Sequence, residues 1–225
     1  SLPKQFLKYA GKPILIYTLE RFEMHSEIDS IAVVCLAGWE KELRKSIDRW
    51  GIEKVKWIVP GGVSSQKSIF NGLQELKESG ISDDSIILIH DGVRPLLDEE
   101  VISNNIKTVK QYGNCITVAR MHETFIHVDS DELVRSVGNR AVMRVAKAPQ
   151  SFYLGEIFNY HQRALNEGEE SFIDSASLVF HYNVKLHTTE CGSNNIKVTL
   201  PSDYYIFKAL YEAEENAQIS DPLLF

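Results

Sequence analysis

Ile86-Ile87-Leu88-Ile89-His90-Asp91-Gly92-Val93-Arg94-Pro95 is the stretch whose reading decides the fold. Four consecutive apolar residues, three of them β-branched, make a short continuous run of the kind that suits a strand covered on both faces, as in a parallel sheet. The run stops at His90-Asp91-Gly92, and Pro95 forbids a regular continuation. Asp91 therefore falls at the carboxyl end of a central strand, the edge at which open α/β sheets bind ligands. Arg94 follows three residues on. A carboxylate at that place can hold a divalent cation, and a nearby guanidinium can grip phosphate oxygens. The plainer alternative is a helix-capping Asp with a surface Arg.

Outward from this strand, apolar runs and amphipathic segments alternate. Residues 14–25 carry Ile14, Leu15, Thr18, Leu19 and Phe22 on one helical face. Residues 31–36 read as a buried strand, 39–50 as an amphipathic helix closed by Gly51, and 55–59 as a strand running into Pro60-Gly61-Gly62. Residues 64–78 form a helix closed by Gly80. On the carboxyl side, 98–112 is a helix and 115–119 a strand. Such alternation argues for a doubly wound, mostly parallel α/β sheet. From residue 121 the rhythm changes: 124–128 and 132–137 flank Asp129-Ser130-Asp131 as a β-hairpin. With residues 139–148 as the return, about 121–147 reads as an extended β-arm outside the main sheet. Residues 154–167 and 174–182 are helical, 184–189 is a late strand, and 201–216 is the closing helix. One domain over 1–225 with an arm accounts for this order.

Composition narrows the class. A chain of 225 residues with 44% hydrophobic content can bury a substantial core. Acidic residues outnumber basic ones, 31 to 24, which argues against a nucleic-acid binder. Cys35, Cys115 and Cys191 are too widely spaced for a CxxC pair or a zinc cluster; Cys35 and Cys115 sit in apolar runs and read as reduced core thiols. No signal peptide and no membrane-spanning stretch is evident, so a cytoplasmic protein is the expectation.

Three further segments carry candidate chemistry. Lys4 precedes the first helix and is either a solvated terminal lysine or a ligand contact. Pro60-Gly61-Gly62-Val63-Ser64-Ser65-Gln66-Lys67-Ser68 links a strand to a helix: either its glycines let the backbone approach a ligand, or it is a turn with Ser64 as N-cap. It is neither GxGxxG nor a P-loop. Asn194-Asn195-Ile196-Lys197-Val198-Thr199 reads as a short apolar strand with one lysine. Lys197 either points outward at an edge or reaches across a ligand site, and the second is favoured because lysine rarely enters a packed sheet unpaired. His90, His122 and His127 lack metal-ligand spacing and read as structural or surface residues.

Together Lys4 in PKQF, Gly61-Gly62, Asp91 and Arg94 in HDGVRP, Pro149-Gln150 in APQSF, and Lys197 in NNIKVT resemble, in order and spacing, the cytidylyltransferases of sugar-alcohol phosphates. One branch of that family makes CDP-methylerythritol for isoprenoid biosynthesis, and another makes CDP-ribitol for wall teichoic acid or capsule. The resemblance covers essentially the whole chain. It implies a Rossmann-like fold of the nucleotide-diphospho-sugar transferase type, CTP and a polyol phosphate as substrates, Mg2+ as cofactor, and a homodimer formed through the β-arm. By the same resemblance Lys4 and Lys197 are the catalytic cations on the triphosphate, and Asp91 binds nucleotide and metal. Arg94, Thr124 and Arg140 contact the acceptor, with Arg140 acting across the dimer. Gly61, Gly62 and Ser68 line the cytidine pocket. LPKQFLKYAGKPILIYTLERF and Asn139-Arg140-Ala141 favour the ribitol branch over the methylerythritol branch.

Four departures stand out. Family members begin with a strand and a glycine-rich loop containing an arginine, ahead of PKQ. This sequence starts after that point, as a shortened copy or by loss of the loop, and a chain lacking it is expected to bind CTP poorly and to lose the first strand of its sheet. Ser65 stands where many members have arginine, Ala148 where they have threonine before Pro-Gln, and Ile173 where threonine is common before Asp174. Two other classes were weighed. A non-catalytic nucleotide-binding protein is supported by the departures but has no need of the Lys4, Asp91, Arg94, Lys197 constellation. An NAD-dependent oxidoreductase fails for want of GxGxxG and its acidic partner.

Overall fold

The computed structural model describes residues 2–219. A 3-10 turn, Lys4–Phe6, leads to a small antiparallel hairpin of β1 (Lys8–Tyr9) and β2 (Lys12–Pro13), where only a turn was expected. The alternation then follows the sequence: α1 (Ile14–Glu23), β3 (Ile31–Cys35), α2 (Glu40–Trp50), β4 (Val55–Pro60), α3 (Ser65–Glu78), β5 (Ile86–Ile89), α4 (Glu99–Tyr112) and β6 (Asn114–Arg120). Helix ends have identifiable causes. Gly51 takes up φ 63° to stop α2, a left-handed conformation that costs glycine nothing. Ser64 caps α3 by accepting from the Lys67 amide at 3.1 Å.

The expected hairpin is present as β7 (Ile126–Val128) and β8 (Val134–Val137), paired only with each other and exposed along both strands. The chain then departs from the sequence reading. Residues 144–153, expected as part of an irregular return and then an uncharacterised link, form the ten-residue strand β9 (Arg144–Tyr153). After it come α5 (Leu154–Asn166), α6 (Ser175–His181), β10 (Thr188–Glu190) and α7 (Pro201–Ile219). The late strand is thus shorter than the expected 184–189.

β9 changes the sheet. It lies between β5 and β6, antiparallel to both, in a four-stranded mixed sheet ordered β10-β6-β9-β5. The parallel pairing expected from the alternation holds for β6 with β10 and for β3 with β4, which form a separate two-stranded piece. Among the described residues no ladder joins β3 to β5, and the space between them opens into the main cleft. β9 was hard to see because Pro149 argues against a central strand. Proline is tolerated there at an irregularity: residues 146–150 of β9 stand opposite only 116–118 of β6, a bulge of two extra residues.

The buried apolar residues form four clusters beneath these layers. Leu73, Ile116, Phe152, Leu154, Ile157 and Leu178 pack between the four-stranded sheet and α3, α5 and α6. Phe207 of α7 is fully buried against Ile14, Tyr17, Val93 and Val198, which ties the C-terminal helix to the loop after β5. A buried polar network fixes α4 to the sheet. Asn105 donates to Thr117 at 2.9 Å, Thr117 donates to the Pro149 carbonyl at 2.7 Å, and Ser151 donates to Asn105 at 2.8 Å. Each member is satisfied, so the network holds β9 in register without an orphaned group. Cys35 and Cys115 are free and buried, as expected.

Two histidines make stability depend on pH. His161 is buried, and neither ring nitrogen has a hydrogen-bond partner among the described residues. Burial lowers its pKa to about 4, and burial likewise lowers that of His90 to about 4. The unfolded rings titrate near the ordinary value of about 6.5. Between those limits the unfolded chain binds more protons, so stability is full above pH ~6.5 and falls as pH falls. By pH 5 the loss is about 2 kcal/mol for each ring. Urea unfolding between pH 7 and 5 is expected to record this decline, and His161→Leu, similar in volume but unable to titrate, is expected to remove about half of it. Equal pH slopes for the two proteins would contradict the assignment.

Candidate active site

The loop after β5 does what its sequence suggested. Gly92 keeps the chain close to α1, because a Cβ there would come within 2.8 Å of Leu15. The turn brings Arg94 back over Asp91: the Arg94 amide donates to the Asp91 carbonyl at 3.0 Å, and Nε donates to Asp91 Oδ2 at 2.8 Å. The Arg94 carbonyl meets His90 Nε2 at 3.2 Å, so the half-buried His90 ring braces this turn. Arg94 is not a surface arginine; its guanidinium is buried and also donates through Nη1 to the Asn195 carbonyl at 3.0 Å.

Lys197 completes the group. Residues 194–199 form no strand, a correction to the sequence reading; one backbone bond, Val198 amide to Val93 carbonyl at 2.9 Å, docks the segment beside the β5 loop. Val198 is buried, and Lys197 turns the other way to place Nζ 2.7 Å from Asp91 Oδ1. Lys197 therefore faces the cleft, paired with Asp91. Asp91 is gripped by one cation on each oxygen. Burial pushes its carboxyl up, but the hydrogen bonds and charges of Lys197 and Arg94 outweigh burial and hold it below the usual carboxylate range. It is ionised at neutral pH, and the stability this contributes is lost only as pH falls through the lowered value.

These residues line a cleft of about 1260 Å³ shared with Lys4 and Ser68. Lys4 is exposed, in the turn whose Phe6 ring stacks on Trp39 just beyond β3. Ser68 lies in the first turns of α3, with its hydroxyl bridging the glycine loop: the Gly62 amide donates to Ser68 Oγ at 3.0 Å, and Oγ donates to the Ser64 carbonyl at 2.9 Å. The turn with an N-cap is realised here. Gly62 is required by the chain itself, since a Cβ would collide with Cγ and Cβ of Lys67 at the start of α3. Gly61 follows β4 with its amide on the Cys35 carbonyl at 2.7 Å. Thr124 and Arg140 lie outside this cluster. Both are exposed near the β7–β8 hairpin, and Arg140 donates to the His122 carbonyl at 3.0 Å.

The structure adds residues that the sequence did not single out. Asn195 is buried and donates Nδ2 to the Ala148 carbonyl at 2.7 Å, so the segment carrying Lys197 is fastened to β9 as well as to Arg94. Gln150 donates to Asp174 at 2.9 Å and accepts from the Ala176 amide at 2.9 Å, locking the start of α6 to β9. Asp174 also caps α6 by accepting from the Ser177 amide at 2.8 Å. The available signal was adjacency: Asn195 and Gln150 fall inside the NNIKVT and APQSF motifs.

No group of three or more His, Cys, Asp or Glu side chains converges on a metal-sized site among the described residues. The donor set does fit Mg2+ held jointly with phosphates. An ionised carboxylate offers about four lone-pair sites, and Asp91 has committed two. Mg2+ commonly takes one or two carboxylates together with substrate phosphates and water.

A carboxylate at the end of β5 held between two cations, in a cleft that also contains Lys4, makes a candidate phosphate-handling site. The chain belongs to the family described as IspD, 2-C-methyl-D-erythritol 4-phosphate cytidylyltransferase, whose model matches residues 1–213. It is 46% identical over 217 residues to a ribitol-5-phosphate cytidylyltransferase of Vibrio parahaemolyticus, covering 96% of this chain and 91% of that protein. A 2-C-methyl-D-erythritol 4-phosphate cytidylyltransferase of Clostridium botulinum is 32% identical, with 94% and 90% covered. Among solved structures, the 4-diphosphocytidyl-2C-methyl-D-erythritol synthase of Anaerococcus prevotii superposes with a TM-score of 0.83 at 24% identity, covering 94% of this chain and 91% of that one. No helix among the described residues is long and apolar enough to cross a membrane.

Proposed function

We propose that this chain transfers the cytidylyl group of CTP to the phosphate of D-ribitol 5-phosphate or a related capsular polyol phosphate, releasing pyrophosphate. The observation that carries the reading is Asp91 held between Arg94 and Lys197 in a cleft that also contains Lys4. The naming of the 46%-identical relative supports the ribitol acceptor.

In the proposed reaction an oxygen of the acceptor phosphate attacks the α-phosphorus of CTP in line, and the bond to the bridging oxygen of pyrophosphate breaks. The nucleophile is already ionised, so proton transfer contributes little. Catalysis then rests on positioning and on neutralising charge at the α-phosphoryl group. Lys4 and Lys197 supply that neutralisation. Asp91 fixes the cations and shares its carboxylate with Mg2+, which when bound shields the triphosphate and orients it. Arg94 grips a substrate oxygen while Asp91 and the Asn195 carbonyl hold its plane. Gly61, Gly62 and Ser68 present backbone to the cytosine base. Thr124 and Arg140 serve the acceptor from the arm.

The reading extends to assembly and fold. The arm exposes Phe125, Ile126, Leu133, Val134, Val137 and Val142, a larger apolar area than a lone hairpin exposes without a partner. A homodimer through a protruding arm would cover it and carry Arg140 to the partner's cleft. A doubly wound sheet in a single domain is the arrangement that goes with this family.

Methylerythritol 4-phosphate is the second reading, supported by the family description and the 32%-identical relative. Steady-state kcat/KM on both acceptors decides between them. Ribitol 5-phosphate is expected to be preferred by at least about tenfold, corresponding to ~1.4 kcal/mol of transition-state binding. A preference for methylerythritol 4-phosphate would reverse the assignment.

A further inference from the structure

Lys147 enters the cleft without a counter-charge. It lies in β9 at the bulge where the strand leaves the arm and enters the sheet, and it lines the cleft beside Arg94. No ion pair or hydrogen bond to its amine exists among the described residues. The charge that acts on its amine most strongly is the like charge of Arg94, and Asp91, the carboxylate paired with Arg94, already carries Lys197 as well. The other group beside it is Cys191, whose thiol burial pushes up, so it is neutral at neutral pH and offers no compensation. A half-buried ammonium facing a guanidinium with no anion is a costly arrangement, tolerable in a site built to receive one.

We propose that Lys147 binds the phosphate of the polyol acceptor, jointly with Arg94. This rests on the cytidylyltransferase reading above. Placement selects the acceptor phosphate over the triphosphate. Gly61, Gly62 and Ser68, proposed for the base, follow β4 on the two-stranded piece of sheet, and Lys4 lies in the turn that packs on Trp39 just beyond β3; Asp91 and Lys197, proposed for the metal and the α-phosphoryl group, stand at the end of β5 with Arg94 next to them. Lys147 and Arg94 belong to the four-stranded piece. The residue after Lys147 is Ala148, whose side chain offers no hydroxyl to a ligand; the lysine adds a second cation to Arg94 in this part of the cleft.

The test is kinetic. Wild type, Lys147→Met and Lys147→Arg are assayed by pyrophosphate release with CTP and ribitol 5-phosphate varied in turn, with inorganic phosphate as an inhibitor. Lys147→Met is expected to raise KM for the acceptor by about tenfold or more. It should leave KM for CTP within twofold and weaken inhibition by phosphate competitive with the acceptor. Lys147→Arg is expected to restore most of the acceptor KM. Unchanged acceptor KM in Lys147→Met, or a rise confined to CTP, would overturn the proposal. Failure of the wild type to turn over either acceptor would instead strike the underlying reading, and thermal unfolding of each variant separates loss of the site from loss of the fold.

Discussion

Lys197→Met is expected to lower kcat/KM by on the order of 100-fold or more while leaving the fold intact, the scale typical of removing one preorganised charge from a transition state. The lysine stabilises the resting protein only weakly. Its side chain is 41% exposed, and an ion pair so open to water contributes about 0–1 kcal/mol. Its segment is held independently by the Val198 amide on Val93 and by the Asn195 side chain on Ala148. In a chain of this size a change of that order moves Tm by no more than about 4 °C. The amine therefore matters for charge that develops on the α-phosphoryl group. Steady-state kinetics paired with thermal unfolding measures both quantities. Turnover near the wild-type rate would remove Lys197 from the mechanism.

Asp91→Ala is expected to lose activity on the same scale and, unlike the lysine variant, to lose stability. The Arg94 guanidinium is 10% exposed and keeps only the Asn195 carbonyl when the carboxylate is gone. Leaving a largely buried cation short of its charged acceptor costs about 1–3 kcal/mol. Asp91→Asn separates the two effects. The amide oxygen can still accept from Arg94, so much of the stability should return. The charge that holds Lys197 and that, in the proposed reaction, would share in Mg2+ binding is absent, so activity should not. Urea unfolding together with turnover of both variants checks this. An active Asp91→Asn enzyme would mean that the carboxylate only shapes the loop.

The turn from Asp91 to Arg94 was legible because it is local. Asp91, Gly92 and Arg94 sit within one turn, and a buried apolar run ending in a glycine has few places to go. Helix caps at Ser64 and Gly51 were readable for the same reason. What escaped the sequence was long-range. β9 is half arm and half core, exposed through Arg144–Ala146 and buried from Ala148 to Phe152, so it shows neither the period of an edge strand nor the run of a central one. Its proline argues against a strand unless the bulge is known in advance. Lys197 was placed on a strand that does not form, yet its direction was anticipated, because Val198 had to be buried and its neighbour therefore had to face away. Lys147 gave no signal at all: a lysine at the root of an exposed arm reads as solvated until β9 carries it against Arg94. Thr124 and Arg140 entered through the family resemblance alone, and they lie beside the exposed hairpin, away from the Asp91 cluster.

The most direct measurement is pyrophosphate release from the purified protein with CTP, Mg2+ and D-ribitol 5-phosphate, with the nucleotide product identified by mass. Release in one-to-one proportion to CDP-ribitol, reduced by on the order of 100-fold in Asp91→Ala, is the predicted result. CTP binding with no pyrophosphate released on either polyol phosphate would contradict the account and favour a nucleotide-binding protein without this catalysis.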